Sequence, residues 1–381
     1  MSDPVDERLE ALITSMEAKD YLPDPASQWA NIVRSVPRHL FVPDRGWVFI
    51  KGGSHSIDRA ARPDEWWNAV YSDAPIVTQA DDGTTDHTTG EGQASSSLSA
   101  LSGVLYNLRH LDLDDDHRVL EIGTGTGYTA ALTVHRAGDG GHVTTVEIDP
   151  ELAKQAEVNL RAALGTEDMP ELVTEDGAQG YPDSAPYDRV HVTCSVQEIP
   201  YPWVEQTRPG GTIVCPFGSW LGWGVLAQVE VLPDGTGIGR FPGTSGYMYM
   251  RSQRPVTDHP AEWSTEDGES TRINPRTIAY APAAADLVMS VLAPGVTARR
   301  PDDALWLFDG NDPECWTIAT FAEHENVFEV QQHGERRLWD EVTAAYFTWV
   351  SWGRPDLSRF GLTVTPDGQQ VWIDQPENVI T

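Results

Sequence analysis

Three cysteines in 381 residues, Cys194, Cys215 and Cys315, are too few and too scattered for a disulfide framework. None has the spacing of a zinc ligand, so they read as small buried hydrophobes and no metal is expected. Positive charge is the second scarcity. Lys and Arg total 26 against 58 Asp and Glu, a formal net charge of −32, and such a field repels phosphate backbones and anionic bilayers. Nucleic acid and membrane surfaces are thereby excluded as expected partners, while a cationic peptide is steered inward. A solvated, highly soluble surface accounts for the acidity better than any acidic docking face. No apolar run approaches membrane-spanning length, and the opening MSDPVDERLE is acidic where a secretory signal is basic. The expectation is a cytoplasmic monomer, long enough for one catalytic domain and an added module.

What the chain does have is alternation. Leu9, Leu12, Ile13 and Met16 share a helical face over 7–19, and Trp29, Ile32, Val33 and Val36 mark a second helix closed by Pro37. Residues 44–95 hold a tryptophan-rich stretch and the polar run DDGTTDHTTGEGQ, which reads as an exposed loop. A helix over 98–108 precedes strand RVLEIG, a helical interval and strand HVTTVEID, a strand–helix–strand unit of the kind that builds parallel sheets. Helix ELAKQAEVNLRAAL and strands ELVTED and YDRVHVTCS continue the series. A Pro-Gly-Gly turn at 209–211 then leads to TIVCPF and GVLAQVEVL, followed by the hairpin signal PDGTG.

The predicted fold is α/β, a doubly wound and mostly parallel sheet with an antiparallel edge. A polar, proline-punctuated linker over 252–275 leads to a small α+β module. It holds a helix near 281–293, the runs ALWLFD, CWTIATF and VFEVQQ, a helix RRLWDEVTAAYFTWV, and two runs flanking Pro-Asp-Gly. This divides the chain into N-terminal helices and substrate-site loops (1–95), a catalytic core (96–254) and the module (255–381).

The chemistry concentrates at Glu121-Ile122-Gly123-Thr124-Gly125-Thr126-Gly127-Tyr128, directly after a buried strand. Glycines at a strand-to-helix turn let the backbone approach a ligand closely and leave the first helical amides free to bind it. Nucleotide, nicotinamide, flavin and methyl-donor sites all use such a turn, so the turn alone does not choose among them. Glu147-Ile148-Asp149 ends the next strand about 20 residues on, where a carboxylate accepts both ribose hydroxyls. Glu121, placed to face a cationic amino acid portion, and Asp176-Gly177 after the third strand tilt the choice toward a sulfonium cofactor. A solvated or locally capping role for Glu121 and a turn role for Asp176 stay open. Methyl transfer to a carboxylate needs alignment more than a base, because the nucleophile is already ionised. Ser95, Ser96, Ser97 and Ser99 are uncharged donors suited to holding such an acceptor, although a serine-rich helix cap explains them as well.

These segments together resemble the protein-L-isoaspartate O-methyltransferase family: VPRHLFVPD at 36–44, Tyr71-Ser72-Asp73-Ala74-Pro75, the serine cluster, VLEIGTGTGYTAAL, VEID, EDGAQGYPDSAPYDRVHVT and RPGGTIVCP, in order over roughly 25–250. The resemblance implies a class I S-adenosylmethionine-dependent methyltransferase. It implies S-adenosyl-L-methionine among Glu121, Gly123, Thr124, Gly125, Gly127, Glu147, Ile148, Asp176, Gly177 and Thr193. It also implies the acceptor carboxylate near Ser97, flanked by Ser96 and Ser95. Family members that repair proteins methylate the isoaspartyl α-carboxylate, and the ester then closes to a succinimide.

Two departures matter. Where the family has Thr-Ile-Ser and then Pro, this chain has Ser95-Ser96-Ser97-Leu98-Ser99, after a loop expanded around Asp81 to Gly90. The stretch from 255 onward, QHGERRLWDEVTAAYFTW above all, resembles the extension of actinobacterial relatives associated with ribosomally made modified peptides such as graspetides and lanthipeptides. The expectation from both is methylation of an ordinary aspartate in a modified precursor peptide, with closure to aspartimide and the extension gripping the peptide. Repair of isoaspartate is the alternative, and a catalytically silent peptide-binding subunit a third. In the extension, Leu338, Val342 and Trp349 read as core; Arg336 and Arg337 read either as contacts for peptide carboxylates or as a solvated helix start.

Overall fold

Val119, Leu120, Glu121 and Ile122 are all buried, so the strand Arg118–Ile122 shows no alternation, as a strand covered on both faces requires. The computed structural model describes residues 4–50, 53–218, 224–255, 268–322 and 326–381. The chain divides into two units. The first comprises Met1–Cys194, Pro200–Cys215 and Glu230–Gly235, the second Ser195–Ile199, Pro216–Val229 and Thr236–Thr381.

In the first unit the parallel strands run in the order Thr207–Phe217, Tyr187–Val192, Arg118–Ile122, His142–Glu147, Glu171–Thr174. The order reverses beside Arg118–Ile122, and ligands of doubly wound sheets bind outside the carboxyl ends of the strands at such a point. Helix Pro150–Leu164 starts cleanly because Asp149 accepts the amide hydrogens of Glu151 and Leu152 and Pro150 opens the first turn. The expected turn at 209–211 is instead an excursion inside Thr207–Phe217. The register jumps from Tyr187 opposite Thr207 to Arg189 opposite Thr212, and the extra residues bulge out.

Residues 44–95 contain more order than the sequence suggested. Gly53–Asp58, Arg45–Ile50, Ile76–Ala80 and Ala94–Leu98 form a four-stranded antiparallel sheet in that order. Ser95, Ser96 and Ser97 therefore lie on a strand and not on a helix cap, Ser99 follows it, and the next helix begins only at Leu101, with Ala100 as its N-cap. Arg38, 1 % exposed, ties this region together: Nε donates to Val70 O, and Nη2 donates to Ala74 O and to Ser99 O.

In the second unit Gly237–Gly243 pairs antiparallel with Phe360–Thr365, which pairs with Gly368–Ile373. This pairing recruits a strand numbered below 255, so the unit begins earlier than the expected module. Half of the expected linker, 256–267, lies outside the described residues. A five-stranded antiparallel sheet runs Glu269–Thr271, Phe328–His333, Trp316–Thr320, Ala304–Asp309, Val296–Arg299. Helices Ala283–Leu292 and Leu338–Ser351 pack on each other, the second burying Leu338, Val342 and Trp349. Arg336 lies before that helix and is claimed internally by Asp309 at 2.9 Å and Glu341 at 2.5 Å; Arg337 pairs with Glu269 and with Asp340 at 3.6 Å.

Candidate active site

Residues 123–127 carry the chain from strand Arg118–Ile122 into helix Tyr128–Ala137. Gly125 has φ +55°, and a Cβ there would meet only Ser96 Oγ, at 3.9 Å, so the turn presents bare backbone on that side. The Glu147 carboxylate, 6 % exposed, closes the turn from the neighbouring strand. Its Oε2 accepts the Gly125 amide hydrogen at 2.8 Å and its Oε1 that of Asp149 at 3.1 Å. Ile148, next in sequence, is 40 % exposed despite its size.

Behind the turn, Glu121 is wholly buried, which removes the reading of a solvated acid. Its Oε1 accepts from Thr145 Oγ1 at 2.9 Å, and that hydroxyl lies 2.7 Å from Thr124 Oγ1. Glu121 Oε2 has no hydrogen-bond partner and stands 3.8 Å from Nδ1 of His191, its cross-strand neighbour. Thr193 Oγ1 donates to Ile122 O at 3.0 Å and to Gly123 O, binding the strand Tyr187–Val192 to the start of the turn. Asp176 is exposed and accepts from the Ala178 amide; a Cβ on Gly177 would lie 2.7 Å from Ile122 Cγ2, which only glycine avoids.

The three serines differ. Ser95 Oγ donates to Gln79 Oε1 at 2.8 Å and accepts from the Asp82 amide at 3.1 Å. Ser96 is buried and accepts from Thr78 Oγ1 at 3.1 Å. Ser97, half-buried, alternates to the opposite face of the strand from Ser96. The serine beside the glycine turn is therefore Ser96. The structure thus brings Glu121, the glycines, Thr124, Glu147 and Ser96 together around one turn. Gln79, Asp149, Thr145 and His191 join them, although sequence reasoning did not single them out as site residues. Of these, only Asp149 stands in a pattern that could have singled it out, an acid before a proline at the start of a helix.

The strand order, the glycine turn and the acid ending the adjacent strand are those of a doubly wound cofactor-binding fold, and the family match makes it a class I S-adenosylmethionine-dependent methyltransferase with S-adenosyl-L-methionine as its cofactor. The sequence model of the protein-L-isoaspartate(D-aspartate) O-methyltransferase (PCMT) family matches residues 53–239. Protein-L-isoaspartate O-methyltransferase 2 of Archaeoglobus fulgidus is 35 % identical over 198 residues, 52 % of this chain and 74 % of the relative. The Ignicoccus hospitalis protein-L-isoaspartate O-methyltransferase is 32 % identical over 231 residues, 61 % of this chain and 92 % of its own length. A solved structure titled protein-L-isoaspartate O-methyltransferase shares the fold at TM-score 0.55 and 20 % identity, covering 96 % of this chain and all of the other. The chain belongs to the protein-L-isoaspartate(D-aspartate) O-methyltransferase family. Among the described residues no helix is long and apolar enough to cross a membrane, and no group of three or more His, Cys, Asp or Glu is set to hold a metal ion.

Proposed function

We propose that the chain methylates the α-carboxylate of isoaspartyl residues in proteins or peptides. The observation that carries this reading is Glu147 clasping Gly125, with the Ser96 hydroxyl beside the same glycine. It puts a ribose-binding acid and an acceptor-holding hydroxyl on two sides of one turn. When bound, S-adenosylmethionine supplies an electrophilic methyl group. The residues fit it: a buried Glu121 oxygen lacks a partner, Gly125 leaves the turn open, and Ile148 offers an exposed apolar side chain to a base. In this reading Glu147 holds the ribose, and Ile148, Asp176 and Gly177 line the base. Thr124 and Thr193 shape the turn, and Ser96 and Ser97 orient the acceptor carboxylate while Ser95 braces the strand. The acceptor needs no base, being ionised at neutral pH. Attack of the following backbone nitrogen on the ester then releases methanol and leaves a succinimide.

A second reading, methylation of an ordinary aspartate in a ribosomally made modified peptide followed by aspartimide closure, is favoured by Ser99 in the place of the family's proline and by the expanded loop before the serines. In it, residues 255–381 recognise the peptide. The likeness to a solved isoaspartate methyltransferase covers nearly the whole chain, so a long C-terminal part is no mark of peptide maturation by itself. Matched peptides differing only in aspartyl or isoaspartyl linkage, offered with labelled methyl donor, decide the matter. Preferential labelling of the isoaspartyl peptide is expected; labelling of the aspartyl peptide alone overturns the first reading.

A further inference from the structure

Gln79 sits where the pairing of its strand slips twice. It opposes Ser96, between the pairs Val77–Ser97 and Ala80–Ala94. Such irregularities re-aim side chains beside active sites. Here the carboxamide, 9 % exposed, spans two segments: Oε1 accepts the Ser95 hydroxyl at 2.8 Å and Nε2 donates to Asp149 Oδ2 at 3.1 Å. A carboxamide carries an acceptor and a donor at one end, so it accepts from a hydroxyl while donating to a carboxylate. The path continues on both sides. Asp149 Oδ1 caps helix Pro150–Leu164, and its amide donates to Glu147 Oε1, while Glu147 Oε2 holds Gly125. On the other side Ser95 accepts from the Asp82 amide, and Asp81 accepts from the Gln93 amide at 2.8 Å, which pins the two ends of the polar loop. A continuous hydrogen-bonded path thus runs from the glycine turn through Glu147, Asp149 and Gln79 to the serine strand.

We propose that Gln79 is a positioning residue that couples the serine strand to the Glu147 turn, so that cofactor occupancy tightens the strand presented to the acceptor. This rests on the reading above, in which Glu147 holds the cofactor and the serine strand the acceptor. Ordering travels along a buried polar path because each member fixes the lone pair or hydrogen offered to the next. The consequence is a binding order: the acceptor meets a well-ordered strand only after the cofactor has docked.

Hydrogen exchange on the full-length chain, with and without S-adenosylhomocysteine, tests the coupling. In the wild type the ligand should protect 123–127, 147–152 and 94–98 together. In Gln79→Ala, protection should persist over the first two segments and vanish over 94–98, while KM for an isoaspartyl peptide rises about tenfold at saturating cofactor, and the gain in cofactor affinity that saturating peptide gives the wild type should shrink by a similar factor. Ser95→Ala cuts the same path at its other end and should do likewise, with the double variant no worse than either single one. If Gln79→Ala proves too unstable to assay, Ser95→Ala carries the test. Full ligand-induced protection of 94–98 in either folded variant, or additive losses in the double variant, overturns the coupling. Absence of protection at 123–127 and 147–152 in the wild type overturns the cofactor assignment first, and the coupling with it.

Discussion

Glu147 accepts the amide hydrogen of Gly125 at 2.8 Å, a bond that fastens the end of one strand to the turn following its neighbour. The carboxylate thereby shapes the turn, and under the proposed function it also meets the ribose. Glu147→Ala should weaken S-adenosylmethionine binding by roughly 1–3 kcal/mol, the worth of a lost charged acceptor. Titration calorimetry on the folded variant measures this; an unchanged dissociation constant would remove Glu147 from the cofactor site.

Gly125 has room for a side chain but not the backbone for one. Its φ of +55° lies in the left-handed region, which costs a β-carbon about 1–2 kcal/mol, more when branched. Gly125→Val should lower the melting temperature and obstruct the turn, so that cofactor binding falls further than Glu147→Ala makes it fall. Equal cofactor affinity in Gly125→Val and wild type would show that no ligand approaches this backbone.

Ser96 and Ser97 face opposite sides of their strand, so their substitutions should separate. Ser96→Ala, beside Gly125, should slow single-turnover methyl transfer about tenfold or more with little change in cofactor affinity. Ser97→Ala should chiefly raise the peptide KM. Wild-type turnover in Ser96→Ala would leave Ser97 as the acceptor serine.

The core was readable because its signals are local. Glycines after an apolar run, an acid ending the next strand, and Asp149-Pro150 opening a helix are each dictated within a few residues. Residues 44–95 were not readable in the same way, since Arg45–Ile50 and Ile76–Ala80 pair across some thirty positions of polar and aromatic sequence, and long-range pairing leaves no periodic trace. The serines illustrate the cost. Three consecutive serines carry no alternation of polarity, so nothing in their order separates a strand with Ser96 inward from a loop before a helix. Gln79 was invisible for a related reason: its role depends on a slip in register that only the paired strands define.

Tyr71 offers a stability test at high pH. Its hydroxyl lies 2.7 Å from His39 Nδ1, and burial pushes the phenol from an ordinary 10 up to about 12. Below pH 10 the folded and unfolded chains both keep the proton, and the contribution to stability is whole. As pH rises from 10 toward 12 the unfolded chain loses its proton first, so stability falls across that window. The melting temperature of Tyr71→Phe should decline less than that of the wild type over the same range. Parallel declines would show that Tyr71 titrates alike in both states.

Arg336 is held by Asp309, 6 % exposed, and by Glu341, and its pKa is raised chiefly by the bond to Glu341. Arg336→Met should destabilise the second unit by about 1–3 kcal/mol, because it leaves a buried carboxylate without its cation. Peptide affinity, measured below the unfolding transition, should not change. A selective loss of peptide binding with unaltered thermal unfolding would return Arg336 to a recognition role.

Cys215 and Cys315 are buried, while Cys194, directly after the Thr193 that ties down the glycine turn, is part-exposed. Burial also drives the Cys215 thiol upward, away from the reactive thiolate. A maleimide dye added under native conditions should therefore attach at one position. It would stand next to the glycine turn and, under the proposed function, give an optical reporter of ligand arrival without removing a single cysteine.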